Sequence, residues 1–170
     1  MSERSAAQPV PYIERTRNYY RALGYKKDYW WAHHEHVPFA RLAKRLRLAT
    51  VALVTTAGPP DRSNRDARNH KHVWSGEIAN PPSAFDTDVA WDKESTHVND
   101  RETFLPIDAM TRLVADGTLG ALSHRFHHAP TDYSQRKTNE LDAPQIYQRL
   151  RDDKVHAAVL SALYQSATRP

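Results

Sequence analysis

The chain has 170 residues, 39% hydrophobic and 26% charged, with 24 Lys and Arg against 20 Asp and Glu for a formal charge of +4. That length suits one domain burying roughly two thirds of the surface its unfolded chain exposes, and no apolar run approaches the roughly 18 to 20 residues that a membrane span needs. The absence of cysteine excludes disulfides, thiolate metal sites and cysteine nucleophiles within this sequence, and the opening "MSERSAAQPVPY" lacks the apolar centre of a secretory signal, so a cytoplasmic protein is expected.

Residues 1–11, with Ser, Gln and two Pro, read as a flexible N-terminus, and residues 12–170 as a single α/β domain. From Tyr12 to Leu23, "YIERTRNYYRAL" sets Ile13, Tyr20 and Leu23 near one face ahead of Gly24, which predicts a helix. "DYWWAHHEHVPF" reads as an aromatic loop, because Pro38 biases Val37 away from the helical region and Trp30, Trp31 and Phe39 are too bulky to leave in water. "FARLAKRLRLA" reads as a helical turn or two and carries the densest positive run, Arg41, Lys44, Arg45 and Arg47. Without zinc-finger spacing, an aromatic RNA-binding signature or a basic tail, that run reads as a solvated face, and nucleic acid is not expected as a partner.

"TVALVTTAGPP" is a β-branched, apolar run closed by Gly58, Pro59 and Pro60, which predicts a buried parallel strand from Thr50. Residues 59–104 show little periodicity, and a stretch of that kind is usually functional or partner-bound; short extended pieces are expected around Val73 and Ile78. "PIDAMTRLVADGTLG" is the clearest helix, with Pro106 in its first turn, Ile107, Met110, Leu113 and Val114 on one face, and Gly117 at its close. "LGALSHRF" reads as a strand or extended edge, "APQIYQRLRDDK" as a helix with Pro144 in its first turn, and "VHAAVLSAL" as a second buried strand. This order predicts an α/β fold: a partial parallel sheet with flanking helices, Rossmann-like and three-layered, with long irregular loops. So small a sheet has open edges that a partner is expected to cover.

The ten histidines are clumped. Three imidazoles, or two with a carboxylate, can hold zinc or iron while leaving a position open. In "HHEH", alternate residues of an extended loop share a side, which favours His34 with His36; "SHRFHH" offers His124 with His127 or His128 if that turn is helical; "KESTHVND" offers His97 with Asp92 or Asp100. The predicted metal ligands are His124, His128 and His97, which flank the strand ends, with His34 and His36 in reserve. His97, His124 and Asp92 are the candidate catalytic groups. The ordinary alternative is that these side chains are solvated or hydrogen-bonded, since no spacing matches a signature such as HExxH.

Other groups carry weaker expectations. Asp86, Asp88 and Asp92 suit a cationic amine or a divalent ion, and the backbone of Thr55, Thr56 and Gly58 follows a strand where amides meet anions. Ser75, Ser123 and Ser161 stand near a histidine in sequence with nothing to assign them chemistry. Trp30, Trp31, Trp74 and Trp91 form core or, where solvent-accessible, a partner-binding patch.

Together, "VALVTTAG", "FLPIDAMTRLVADGTLG" and "APQIYQRLRDDKVHAAVLSA" resemble the selenoprotein B family of glycine, sarcosine, betaine and D-proline reductases, and "YYRALGY" with "WWAHHEHVPF" is similar to a bacterial branch related to it. The resemblance covers roughly residues 12–163. It implies reductive cleavage of a carbon–nitrogen bond in a small amine by a selenocysteine or cysteine just after the strand that "VHAAVLSAL" resembles. The matching positions fall near Tyr164 and Ala167, and a phenol with a pKa of about 10 is a poor nucleophile at neutral pH. In "VWSGEIAN", Gly76 and Glu77 stand where relatives tend to show Ser-x-Arg. The family's fold is therefore expected here without its thiol or selenol chemistry.

Two answers are expected from a chain that stops soon after a strand. One is a subunit of a hetero-oligomeric enzyme acting on a small nitrogen-containing substrate, with a second protein subunit completing sheet and site. The alternative is a histidine-based, metal-dependent hydrolase or lyase using zinc or iron, and a third reading is a non-catalytic assembly or regulatory subunit.

Overall fold

The structure, a computed structural model, describes residues 11–28, 35–37, 40–87, 98–132 and 134–161. The chain divides into two compact units, Met1–His36 with Gln165–Pro170, and Val37–Tyr164. In the first, helix α1 (Tyr12–Ala22) ends as predicted at Gly24, whose φ of 88° is the left-handed conformation that closes helices. Arg21 in its last turn pairs with Asp28, and Tyr20 meets both Tyr19 and Tyr25 edge-on.

The second unit is an α/β fold on a mostly parallel sheet of five strands. Strand β1 (Thr50–Thr55) lies at its centre and is buried from Val51 onward, as a β-branched run in a parallel sheet should be. Strand β2 is Trp74–Glu77, β3 is Ala121–Leu122, β4 is Arg125–His128 and β5 is Ala157–Ser161. β3 and β4 both run parallel to β1, and β5 runs parallel along it from Val51 to Thr55. β2 is antiparallel to β4, so the sheet is mixed, with its other pairings parallel as expected.

"LGALSHRF" becomes two strands for a reason visible in the register. Between Val51↔Leu122 and Val54↔His127, β1 advances by three residues and its partner by five. The extra residues form a bulge that carries the chain from one pairing to the next. Gly120 is required just before it: a Cβ there would lie 2.8 Å from the backbone of Ala49.

Helix α2 (Ile107–Ala115) covers one face of the sheet. Its first amides are capped by Glu102, whose carboxylate accepts from the N–H groups of Asp108 (3.1 Å) and Ala109 (3.0 Å). Ile107 and Met110 pack against Leu53, Ala57, Phe104, Leu105 and Phe126, which form the hydrophobic core. Trp74 belongs here too, edge-on to Phe126 at 5.4 Å, which makes it a core residue; Trp30, Trp31 and Trp91 lie outside the described residues.

The opposite face is covered by α4 (Ala143–Asp152), which continues from α3 (Gln135–Lys137) through a π turn at Thr138–Asp142. The turn has a local cause in Pro144, which has no N–H to donate and whose ring would clash with the carbonyl four residues earlier; the wider turn relieves both.

One further expectation is corrected. β5 is not a buried strand: Val159 and Leu160 are 40% and 65% exposed, because β5 pairs only with β1 among the described residues and its central residues are uncovered. "FARLAKRLRLA" forms one helical turn among the described residues, of the 3₁₀ kind at Leu46–Leu48, within the turn or two expected. No described helix is long and apolar enough to cross a membrane.

Candidate functional site

Alternation along β4 sends its two adjacent histidines to opposite faces of the sheet. His128 pairs in register with Thr55 and Trp74 on the α2 face, and His127 with Val54 and Ser75 on the α4 face. Both are essentially without solvent contact, at 1% and 0% exposure. The helical spacing considered for "SHRFHH" is not realised; the segment is a strand preceded by a bulge.

His128 stands at the carboxyl ends of β1 and β4, the place in an open α/β sheet where ligands usually bind. Gly58 faces it: a Cβ on Gly58 would sit 3.5 Å from the His128 ring and 3.5 Å from the Asn64 amide. Gly58 is in turn bridged to Asp86 by N–H···O bonds of 2.9 and 3.0 Å. The His128 ring faces the Ala57 backbone as a weak hydrogen-bond partner, and among the described residues neither nitrogen makes a hydrogen bond of full geometry. Burial lowers its pKa to about 4, with the Lys71 charge acting in the same direction and the Ala57 backbone and the carboxylates of Asp132 and Asp86 opposing it. At neutral pH it is an uncharged imidazole, with one nitrogen able to donate and the other to accept. A buried polar group left fully unsatisfied costs about 1–3 kcal/mol, so an under-bonded ring at this position makes His128 a candidate site residue.

The rim of this site is ionic and internally matched. Asp86 is held by Arg65 (2.7 Å) and Arg62 (3.3 Å), so it is not an open carboxylate awaiting an amine or a metal. Asp88 and Asp92 lie outside the described residues. Lys71 donates from Nζ to Thr131 (2.6 Å), and Lys137 bridges Asp132 (3.0 Å) and Asp142 (3.3 Å). The amides after β1 are also engaged: Ala57 N–H donates to Thr55 Oγ1 (3.2 Å) and Gly58 N–H to the Asp86 carbonyl, so these two are not offered to an anion.

On the α4 face, Ser75 Oγ lies 2.8 Å from His127 Nδ1 and accepts from Arg149 Nη1 at 2.7 Å. His127 Nε2 has no hydrogen-bond partner, and the Asp153 carboxylate stands 3.9 Å away. Asp153 is engaged by Arg125 through two bonds of 2.6 and 2.9 Å. Burial, reinforced by Arg125, lowers the His127 pKa to about 4, with Asp153 opposing. The serine of this cluster was unassigned in the sequence; Ser75 and His127 are distant in the chain and meet only through the antiparallel β2–β4 register.

Next to Val54, the cross-strand neighbour of His127, an apolar pocket of 290 Å3 opens between α4 and the sheet. Val54, Pro130, Ile146, Tyr147, Leu150 and Leu160 line it, and its one carboxylate, Asp142, is paired with Lys137.

Of the predicted metal and catalytic residues, His97, Asp92 and His34 lie outside the described residues. His36 is exposed and belongs to the first unit. His124 is exposed at the start of β4, its side chain 70% accessible and 4.0 Å from Asp153. His128 is four residues further on, about 13 Å along an extended strand, so His124 and His128 do not converge on one ion. Among the described residues, no group of three or more His, Asp or Glu is placed to hold a metal.

Comparison with known proteins adds one finding to this geometry. Neither a curated protein nor a solved structure matches the chain. The family model of glycine/sarcosine/betaine reductase selenoprotein B (GRDB) matches residues 20–163, which span the sheet, both covering helices and both buried histidines. The chain belongs to the glycine/sarcosine/betaine reductase selenoprotein B family.

Proposed function

We propose that this chain is a subunit of a hetero-oligomeric enzyme acting on a small nitrogen-containing substrate, and that the substrate is met by His128 at the carboxyl ends of β1 and β4. The observation that carries the reading is the buried, neutral ring of His128 at that position, whose nitrogens make no full-geometry hydrogen bond among the described residues. Held neutral at pH 7, the ring accepts a hydrogen bond from a substrate N–H at one nitrogen and donates at the other. Family membership supports the substrate class. These residues contain no cysteine, so any thiol or selenol step would use a group outside them.

The sheet supports the subunit role. β5 leaves one backbone edge without a strand among the described residues, beside exposed Val159 and Leu160 and the apolar pocket under α4. A second subunit adding to that edge buries this surface and completes the sheet.

The test uses the natively purified complex and His128→Leu. Replacing an unsatisfied buried polar group by an apolar one of similar size is neutral or stabilising. The variant is therefore expected to unfold at the same temperature or higher while losing at least tenfold in affinity for sarcosine, glycine or betaine as probes. Unchanged affinity, or no affinity of the wild-type complex for any small amine, overturns the reading.

A further inference from the structure

The α4 face carries a second feature, independent of the His128 site. Arg125 stands close enough to disfavour the charge of Arg149, and Asp153 is engaged by Arg125 through both carboxylate oxygens. Among the described residues Arg149 has one bond, from Nη1 to the Ser75 hydroxyl, and no carboxylate partner. A guanidinium has five N–H donors, so most of its donor capacity is unused. The side chain is half-buried, and desolvation followed by repulsion from Arg125 lowers its pKa below the ordinary arginine value. His127 beneath it is fully buried with Nε2 unpartnered, a second sign that the cluster is incomplete by itself.

We infer that Arg149 and Ser75 form a binding site for a small monocarboxylate on the α4 face of the sheet. The charge balance selects the ligand. Two guanidiniums face one carboxylate, and His127 is neutral, which leaves a surplus of a single positive charge. A monoanion neutralises it, whereas a phosphate dianion exceeds it and is repelled by Asp153. The planar guanidinium fork matches the two oxygens of a carboxylate, and Ser75 contributes by positioning that fork rather than by donating to the ligand. Ser75 keeps its bond to His127 while its hydroxyl oxygen, already accepting from Arg149, holds the guanidinium in place.

The experiment titrates the full chain with acetate at ionic strength held constant by sodium chloride, and follows the side-chain nitrogens of Arg149 and His127 by NMR. Saturable shifts at both are expected, with apparent affinity at least tenfold weaker in Arg149→Gln and severalfold weaker in Arg149→Lys and Ser75→Ala. Arg112→Gln, on exposed α2 surface, is expected to leave the affinity unchanged. Arg149→Lys keeps the charge and Ser75→Ala removes only a hydroxyl, so the comparison survives if Arg149→Gln folds poorly. Equal shifts with chloride and acetate, or affinity that Arg149→Gln, Arg149→Lys and Ser75→Ala all leave unchanged, overturn the site. Tighter binding of inorganic phosphate than of acetate overturns the monoanion assignment.

Discussion

Ser75 and His127 are cross-strand partners on β2 and β4, and Ser75 Oγ lies 2.8 Å from His127 Nδ1. Because the Ser75 oxygen already accepts from Arg149, its hydrogen is directed to the imidazole, which leaves Nδ1 bare and places the ring proton on Nε2. The opposite tautomer would point a bare Nε2 at the Asp153 carboxylate 3.9 Å away and leave the serine hydrogen without an acceptor. Long-range nitrogen–proton correlation spectra at pH 7 are expected to show the Nε2–H form for His127. A dominant Nδ1–H form would refute the hydroxyl orientation and the role given to Arg149.

Both buried histidines make stability depend on pH in a stated direction. Each has a folded-state pKa of about 4 against an ordinary 6.5, so the unfolded chain binds more protons between those values. Stability should be flat above pH 7, fall as pH drops through 6.5, and lose a few kcal/mol in all by pH 4. Denaturant midpoints measured from pH 8 to pH 4 check this. His128→Leu should shallow the fall by about half, and an unchanged slope in that variant would contradict the burial argument.

Two glycines are required by neighbours. At Gly76 a Cβ would lie 2.5 Å from Phe126 Cζ and 2.7 Å from Trp74 Cη2, both in the packed core. At Gly120 the clash is with the Ala49 backbone, which cannot swing aside. Alanine at either position should destabilise by about 1–3 kcal/mol, with Gly120→Ala the larger loss. Alanine at Gly24, where nothing lies within 4 Å of a Cβ, meets only the strain of its positive φ and should cost no more than about 1 kcal/mol. Chemical denaturation of the three variants distinguishes these costs.

The exposed face of β5 should matter to assembly and little to folding. Leu160→Lys is expected to move stability by no more than about 0.5 kcal/mol, since the residue is 65% exposed. The same change should strip the partner subunit from the chain during native purification. Retention of a stoichiometric partner would place the contact elsewhere.

Local pattern carried much of the architecture. The apolar face of Ile107, Met110, Leu113 and Val114 and the β-branched run of Thr50–Thr55 are strong short-range signals, and both elements form where those signals lie. The α1 stop at Gly24 and the α4 start near Pro144 are equally local. The burial of "VHAAVLSAL" was misread because an apolar run looks alike in a central strand and an edge strand; β1 alone among the described strands pairs with β5. Spacing within a histidine clump is ambiguous for a similar reason. His124 and His128 are close in sequence, yet an extended strand puts them far apart, while one step along it sends His127 and His128 to opposite faces.

What the sequence determined by itself is thus most of the elements, the family, and the lack of a cysteine among these residues, since each depends on residue types and short spacings. The tertiary structure alone decided which polar groups meet. Ser75, His127, Arg149 and Asp153 come from three separated segments, and only strand register and the docking of α4 bring them within bonding distance. Register is a long-range property, fixed by burial across the whole sheet, and no local pattern encodes it.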